Sequence, residues 1–346
     1  VSRTNRNVRP TGGEGINLKT MRVLVIGGTL FLGRGLVRAL LDRNHEVTIL
    51  HRGRSNPFAG RTDEVHCDRN DGDAMAKILR EGDYDAVFDN VYDWQRGTTA
   101  AQVEAGARAC GDRLQRYIFT SSVAAYFDGL DHDEDDPLAP DDCPDLYSRN
   151  KAQTERMLLG LHQESGFPAV TLRPPFIYGP ENPFEREQFF WDRLLRGRPI
   201  LVPGDGSRLM QFVFRDDYVQ AAMLALEKDA AVGRAYNIGH PGPLTQRELV
   251  AQLALAAGVD AEAVYVNRET LLELDGQVFE PPFYFGQYYD MPPITQKIDR
   301  ARNELGFEPI AFAEGLRRTF AWYQTLDRPE PDFSFDDKVL AAVGAA

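Results

Sequence analysis

Three cysteines, Cys67, Cys110 and Cys143, are too few, too widely spaced and wrong in parity for a disulfide framework or a paired zinc site. A reducing, cytoplasmic setting is the expectation. No apolar run approaches the roughly 20 residues that cross a bilayer, and residues 1–20 lack the apolar stretch of a secretory signal. They read as a flexible extension ahead of an ordered domain that starts at Met21. Positive charge is also in deficit. Against 52 Asp and Glu stand 39 Lys and Arg, and the formal charge of −13 opposes phosphate backbones and anionic lipid. Neither a membrane nor nucleic acid is an expected partner.

What is present from Met21 onward is alternation. Short β-branched runs at Arg22–Ile26, Glu46–Leu50, Glu64–Cys67, Ala86–Asp89, Arg116–Thr120 and Ala169–Arg173 are separated by amphipathic stretches at Phe31–Asp42, Asp73–Arg80, Thr99–Cys110 and Ser148–Gln163. That order predicts an α/β fold, a doubly wound parallel sheet over residues 21–173. After Arg173 the pattern loosens and proline increases, with helices expected at Glu185–Leu195, Asp216–Lys228, Gln246–Ala257 and Phe312–Gln324. Residues 174–327 are therefore assigned mainly to a smaller substrate-binding lobe, and 328–346 to a tail. At 346 residues the chain exceeds the size of a single core. The aromatic, proline-bearing stretch from Gly276 to Pro293 reads as an ordered loop.

The first strand runs into Gly27-Gly28-Thr29-Leu30-Phe31-Leu32-Gly33. Gly27 permits a tight turn, Gly33 lets the helix lie close to the strand, and the helix N-terminal N–H groups can bind pyrophosphate. A glycine is expected where Leu30 stands, which holds the backbone farther from the phosphates. A fingerprint of this kind is weak alone; its position on the first strand gives it weight. At the end of the second strand, where a carboxylate would take the ribose diol of NAD, stand His51, Arg52 and Arg54. Guanidinium groups suit a 2′-phosphate, so NADP is preferred over NAD. Asp68 and Arg69, after the third strand, are expected to flank the adenine.

Tyr147 and Lys151 are four residues apart, on one face of a helix. A phenol with a pKa of about 10 needs a neighbouring cation to act as a base near neutrality. Such pairs also decorate helix surfaces. The strand end Phe119-Thr120-Ser121-Ser122 makes this one significant, because it lies at the carboxyl edge where open α/β sheets bind ligands.

With these motifs, Arg173-Pro174, Tyr178-Gly179-Pro180 and the ending Glu304-Leu305-Gly306-Phe307-Glu308-Pro309, the chain from Met21 to about Tyr323 resembles an extended short-chain dehydrogenase/reductase of the NAD-dependent epimerase/dehydratase group. The resemblance implies that Ser122 hydrogen-bonds the substrate oxygen, Tyr147 exchanges its proton, and Lys151 holds the nicotinamide ribose while lowering the Tyr147 pKa. It further implies that Asn90, Val91, Tyr92 and Thr120 run beside the cofactor, that Pro174 and Pro175 lie near the nicotinamide, and that relatives pair as homodimers. Tyr126 and Phe176 are expected at the substrate.

Two departures narrow that substrate. Nucleotide-sugar members place an asparagine at the position of Phe176 and an arginine near Met210, and a diphosphate without them is poorly held. Val123 and Ala124 replace the Asp-Glu pair of the dehydratases. The expectation is an oxidoreductase or epimerase acting on a hydroxyl or carbonyl of a small, carbohydrate-like molecule. The glycine turn, Arg52-Gly53 and Phe189-Phe190-Trp191-Asp192-Arg193 also resemble the chloroplast stem-loop-binding branch, so a non-catalytic RNA-binding or redox-sensing protein is the rival. The acidic run Asp131 to Asp136, with Asp141 and Asp142, reads as a solvated face, and no metal is expected.

Overall fold

The computed structural model describes residues 20–53, 55–276 and 293–344; the expectations for the N-terminal extension up to residue 19, for Arg54 and for most of the aromatic loop lie outside these. Seven parallel strands form the central sheet: β1 (Arg22–Ile26), β2 (Glu46–His51), β3 (Asp63–His66), β4 (Ala86–Asp89), β5 (Arg116–Thr120), β7 (Ala169–Arg173) and β12 (Arg234–Asn237). Their order is β12-β7-β5-β4-β1-β2-β3. The helices are α1 (Phe31–Asp42), α2 (Gly72–Gly82), α3 (Ala100–Ala107), α4 (Leu146–Ser165) and α6 (Arg215–Glu227).

Alternation along a strand buried on both faces explains the layers. In β1, Val23 and Val25 pack on Leu36, Val37 and Leu40 of α1 and on Tyr218 and Ala222 of α6. Leu24 and Ile26 face the other way, onto Met75 and Leu79 of α2, Val103 of α3 and Leu158 of α4. Helices thus cover both faces, as parallel strands with hydrophobic runs require.

The division at residue 173 is crossed back. Strand β12 pairs with β7 and α6 packs against α1, so part of the later sequence completes the first domain. Sequence periodicity placed α6 but missed β12, whose four residues, Arg-Ala-Tyr-Asn, carry little strand pattern.

The remaining strands form four pairs: β6 (Gly129–His132) with β15 (Ile294–Gln296), β8 (Phe176–Tyr178) with β11 (Phe212–Phe214), β9 (Ile200–Pro203) with β14 (Ala263–Val266), and β10 (Leu209–Met210) with β13 (Leu244–Thr245). Around them lie α5 (Arg186–Leu194), α7 (Gln246–Ala257) and α9 (Phe312–Tyr323), joined by an aromatic core of Phe190, Trp191, Phe212 and Phe312, while α8 (Arg268–Glu273) packs through Leu271 on Leu201 and Val266. Thr245 caps α7 with Glu248 answering in a reciprocal box. Thr245→Ala should cost about 1 kcal/mol, read as a lower urea midpoint at unchanged slope. The tail is docked, not loose: α10 (Ser334–Ala342) buries Val339 and Leu340 against Leu201 and Leu271, and Asp336 pairs with buried Arg193 at 2.6 and 2.8 Å.

Candidate active site

Parallel strands bring their C-terminal ends to one edge, and β1 and β4 are neighbours whose connections run to opposite sides of the sheet. The crevice between them receives the turn after β1, Asn90 to Tyr92 after β4, Thr120 to Ser122 after β5, and Pro174 and Pro175 after β7.

The turn after β1 fits a dinucleotide. A Cβ at Gly33 would lie 1.8 Å from the Gly27 carbonyl oxygen, and one at Gly27 would lie 2.3 Å from Val91 Cγ2. Close backbone approach therefore requires both glycines. The α1 N-terminus has no capping side chain, whereas Asp71, Thr99, Asp145 and Thr245 cap α2, α3, α4 and α7. Its first N–H groups, like those of the equally uncapped α5, α6 and α9, are open to an anion. Asn90 Nδ2 is buried without a hydrogen-bond partner beside the same crevice. Leu30 is extended at φ −125°, so no glycine is needed there for conformation, and its side chain is 64% exposed. The positive φ values fall instead on Gly27 and Phe31. Thr29 and Leu32 are half-buried, Leu32 against the core.

The end of β2 corrects the sequence reading. In-register pairing sets His51 beside His66, and Glu64, two residues back on the same face of β3, reaches His51. The Gly53 N–H donates to His51 Nδ1 at 3.1 Å, which puts the ring proton on Nε2 and directs it at Glu64 Oε2, 3.1 Å away. A carboxylate is thus present at this edge, supplied by the next strand. Hydrogen bonds from Asn56 and then His51 hold its pKa below the usual range. His51 faces inward and is not open to a 2′-phosphate; Arg52 is exposed and pairs with no described carboxylate. The side chains of His51, Glu64 and His66 lie within 4.8 Å of one another, the sole such set among the described residues. A proton on His51 Nε2 makes this a hydrogen-bonded cluster as it stands. The carboxylates of the acidic loop are paired out, Asp135 with Arg300, Asp141 with Arg156, and Asp136 with a ring nitrogen of His132.

Arg69 is also corrected. Its guanidinium is buried against Asp89 at 3.0 and 2.5 Å, with the Tyr117 hydroxyl donating to the same carboxylate at 2.8 Å. It braces β4 and turns away from any adenine. Asp68 stays at the surface, bound by Arg96 at 2.6 Å.

Asp145 caps α4 and starts the helix where Tyr147 and Lys151 share a face. The Lys151 Nζ donates to the Thr120 carbonyl at 2.6 Å and lies over the Phe119 ring. Burial draws its pKa down to about 8. The Ser122 hydroxyl hydrogen-bonds the Tyr147 phenol, which burial pushes up to about 12. Ser122, Tyr147 and Lys151 therefore converge. The expected charge effect differs, since the cation drawing the phenol down is Arg186. Thr120 Oγ1 bonds Asn90 Oδ1 and the Tyr218 hydroxyl, both at 2.7 Å, so its carbonyl, not its hydroxyl, serves Lys151. Tyr92 meets Tyr147 edge-on at 4.8 Å, its hydroxyl accepting from Asn150. The Pro174 carbonyl accepts from the Val123 N–H at 2.9 Å, tying the β7 end to the Ser122 turn, and Pro175 packs on Gly239.

Tyr126 is a correction too. Its hydroxyl lies 2.8 Å from the Asp133 carbonyl and 2.9 Å from Asn237 Oδ1 and accepts from Arg173, which saturates it in the interior. No hydrogen bond remains for a substrate. Phe176 is half-buried next to Phe212. Arg186 and Glu64 are what sequence reasoning passed over. Only the pairing of His51 on β2 with the Glu64-Val65-His66 segment of β3 could have pointed to Glu64, and nothing local distinguishes Arg186.

Comparison with known proteins agrees with this architecture. The chain is 32% identical to the chloroplast stem-loop binding protein of 41 kDa b of Arabidopsis thaliana, over 92% of this chain and 84% of that one. It is 29% identical to the 2-alkyl-3-oxoalkanoate reductase of Stenotrophomonas maltophilia, over 86% and 98%. The dTDP-glucose 4,6-dehydratase DesIV of Streptomyces venezuelae, solved with NAD and TYD bound, superposes with a TM-score of 0.70 at 25% identity, over 88% and 97%. Among the described residues no helix is long and apolar enough to cross a membrane. Residues 23–239 match the model of the NAD dependent epimerase/dehydratase family, and with the glycine turn, the crevice and the Ser122, Tyr147 and Lys151 cluster in place, the chain belongs to that family.

Proposed function

We propose that this protein is an NADP-preferring oxidoreductase or epimerase that moves a hydride to or from the carbon of a small secondary alcohol or ketone. The observation that carries the reading is the meeting of Ser122, Tyr147 and Lys151 at the carboxyl edge of a sheet whose first turn suits a dinucleotide. When bound, a nicotinamide supplies the hydride acceptor or donor. Ser122 orients the substrate oxygen; Tyr147 takes its proton as the alcohol becomes a carbonyl and returns it in reduction. Lys151, anchored on Thr120, presents an ammonium toward the ribose. Release after one transfer gives net oxidation or reduction, and return of the hydride to the opposite face gives an epimer.

The NADP preference rests on exposed Arg52. Arg52→Ala should weaken NADP about tenfold or more and leave NAD nearly unchanged in titrations of cofactor fluorescence. Equal losses would remove the 2′-phosphate argument and point to Glu64 as the ribose ligand. The reading as a whole is tested by a thermal-shift screen with both cofactors followed by a panel of alcohols, ketones and sugars, since a ligand that binds the native state raises the melting temperature. Absence of a shift with either cofactor would end it.

The name of the Arabidopsis relative favours a second reading, RNA binding. A gel shift with a structured RNA that weakens steeply with salt would support it. The net charge of −13 opposes it.

A further inference from the structure

Trp94, in the loop after β4, is 66% exposed. A single exposed indole is ordinary on a protein surface. This one has its inner face on the Tyr147 ring, 4.7 Å between centroids and 28° between planes. Tyr92 meets both rings edge-on, Trp94 at 5.1 Å and Tyr147 at 4.8 Å, and its hydroxyl accepts from Asn150 of α4. The phenol therefore has an indole face on one side and a ring edge on another, at separations where ring pairs attract.

The loop that carries the indole is fixed at both ends. Asp93 accepts from the backbone N–H groups of Gln95 and Arg96, and the Arg96 guanidinium spans Asp93 and Asp68 at 2.6 Å each. Thr98 accepts from the Asp93 N–H and donates to Asn70, whose amide donates to the Gly97 carbonyl at 2.6 Å. Gly97 then seats the loop on α4: its φ is +75°, and a Cβ there would lie 2.9 Å from Asn150 Nδ2 and 3.5 Å from the Tyr92 hydroxyl oxygen. Bracing of this kind fixes where the indole lies, so its contact with Tyr147 belongs to the fold.

We propose that Trp94 is a positioning residue for Tyr147, clamping the phenol ring in the geometry for proton exchange and keeping water from that face of it. The inference rests on the hydride-transfer reading for what the phenol does, not for the contact itself. Exclusion of water favours the neutral phenol, and a ring held in one place meets the substrate oxygen without a search. With the indole gone, water reaches the ring and the phenolate forms at lower pH. The other groups that face the phenol, Ser122 after β5, Tyr92 after β4, Asp145 and Lys151 at the start of α4 and Arg186 of α5, remain in such a variant, so the fall reports hydration.

The test compares Trp94→Ala and Trp94→Phe with the parent, each as the full chain, in two ways. N-acetylimidazole acylates accessible phenols, and its reaction with Tyr147, followed by peptide mass spectrometry without cofactor, should be about tenfold faster in Trp94→Ala. In the oxidation of cyclohexanol by NADP, the rise of rate with pH should move about one unit lower in Trp94→Ala. The plateau kcat should fall about tenfold, with KM changed less than about threefold. Trp94→Phe, which keeps a ring over the phenol, should restore most of each effect. Acylation and a pH profile equal to the parent's in a folded Trp94→Ala, or a rise displaced to higher pH, overturn the proposal, as does a Trp94→Phe variant no better than Trp94→Ala. Faster acylation in Trp94→Ala with no hydride transfer by any of the three keeps the clamp and counts against the hydride-transfer reading. Turnover by all three with equal acylation and equal profiles does the reverse.

Discussion

Tyr147→Phe should lower kcat roughly a hundred- to ten-thousandfold while leaving cofactor affinity within a factor of about two. Phenylalanine keeps the ring that packs against Tyr92 and Trp94 and removes only the oxygen proposed to exchange the proton. The effect therefore separates chemistry from folding. Oxidation needs the phenolate, and in the unliganded protein burial holds this phenol up at about 12. The oxidation rate should accordingly rise with pH across the neutral and mildly alkaline range, and a bound nicotinamide cation should bring the rise to lower pH. In the Phe variant the residual rate should lose that rise. A variant as active as the parent, with the same pH profile, would mean that the proton passes elsewhere.

A second large loss is expected in stability. Arg173, at the end of β7, donates to Glu155 of α4, to the Tyr126 hydroxyl and to the Glu134 carbonyl, and all of these atoms are buried. The Glu155 carboxylate keeps the guanidinium charged despite its burial and raises its pKa. Glu155→Gln would leave a buried cation without its anion, which typically costs about 3–5 kcal/mol. Urea denaturation should show the midpoint fall. Replacing both partners, Glu155→Leu with Arg173→Met, should recover much of the loss, because a pair of apolar groups removes the desolvation cost along with the attraction. A single variant within about 0.5 kcal/mol of the parent would show that this network is not what fixes the β7 end, and with it Pro174 and Pro175, at the crevice.

Much of the site was legible locally. Helix α1 runs over Phe31–Asp42 as its periodicity indicates, and β4, β5 and β7 have the expected bounds. The glycine turn, the strand end at Ser122 and the four-residue spacing of Tyr147 and Lys151 are properties of contiguous sequence, set by steric and helical periods. Other features depended on residues far apart in the chain. Arg69 reads as an adenine neighbour until Asp89 and Tyr117 arrive from β4 and β5 to bury it. Tyr126 reads as a cleft residue until Arg173 and Asn237 close on its hydroxyl.

By itself, then, the sequence determined the parallel α/β class, the dinucleotide turn and the helical placement of the phenol and amine, because backbone sterics and side-chain periodicity act within a few residues. Tertiary structure alone decided that β12 returns to the sheet, that Glu64 lies beneath His51, and that the Lys151 amine rests on the Thr120 carbonyl. Electrostatic and hydrogen-bond partners are chosen by distance in space, and a one-dimensional pattern carries no measure of that distance.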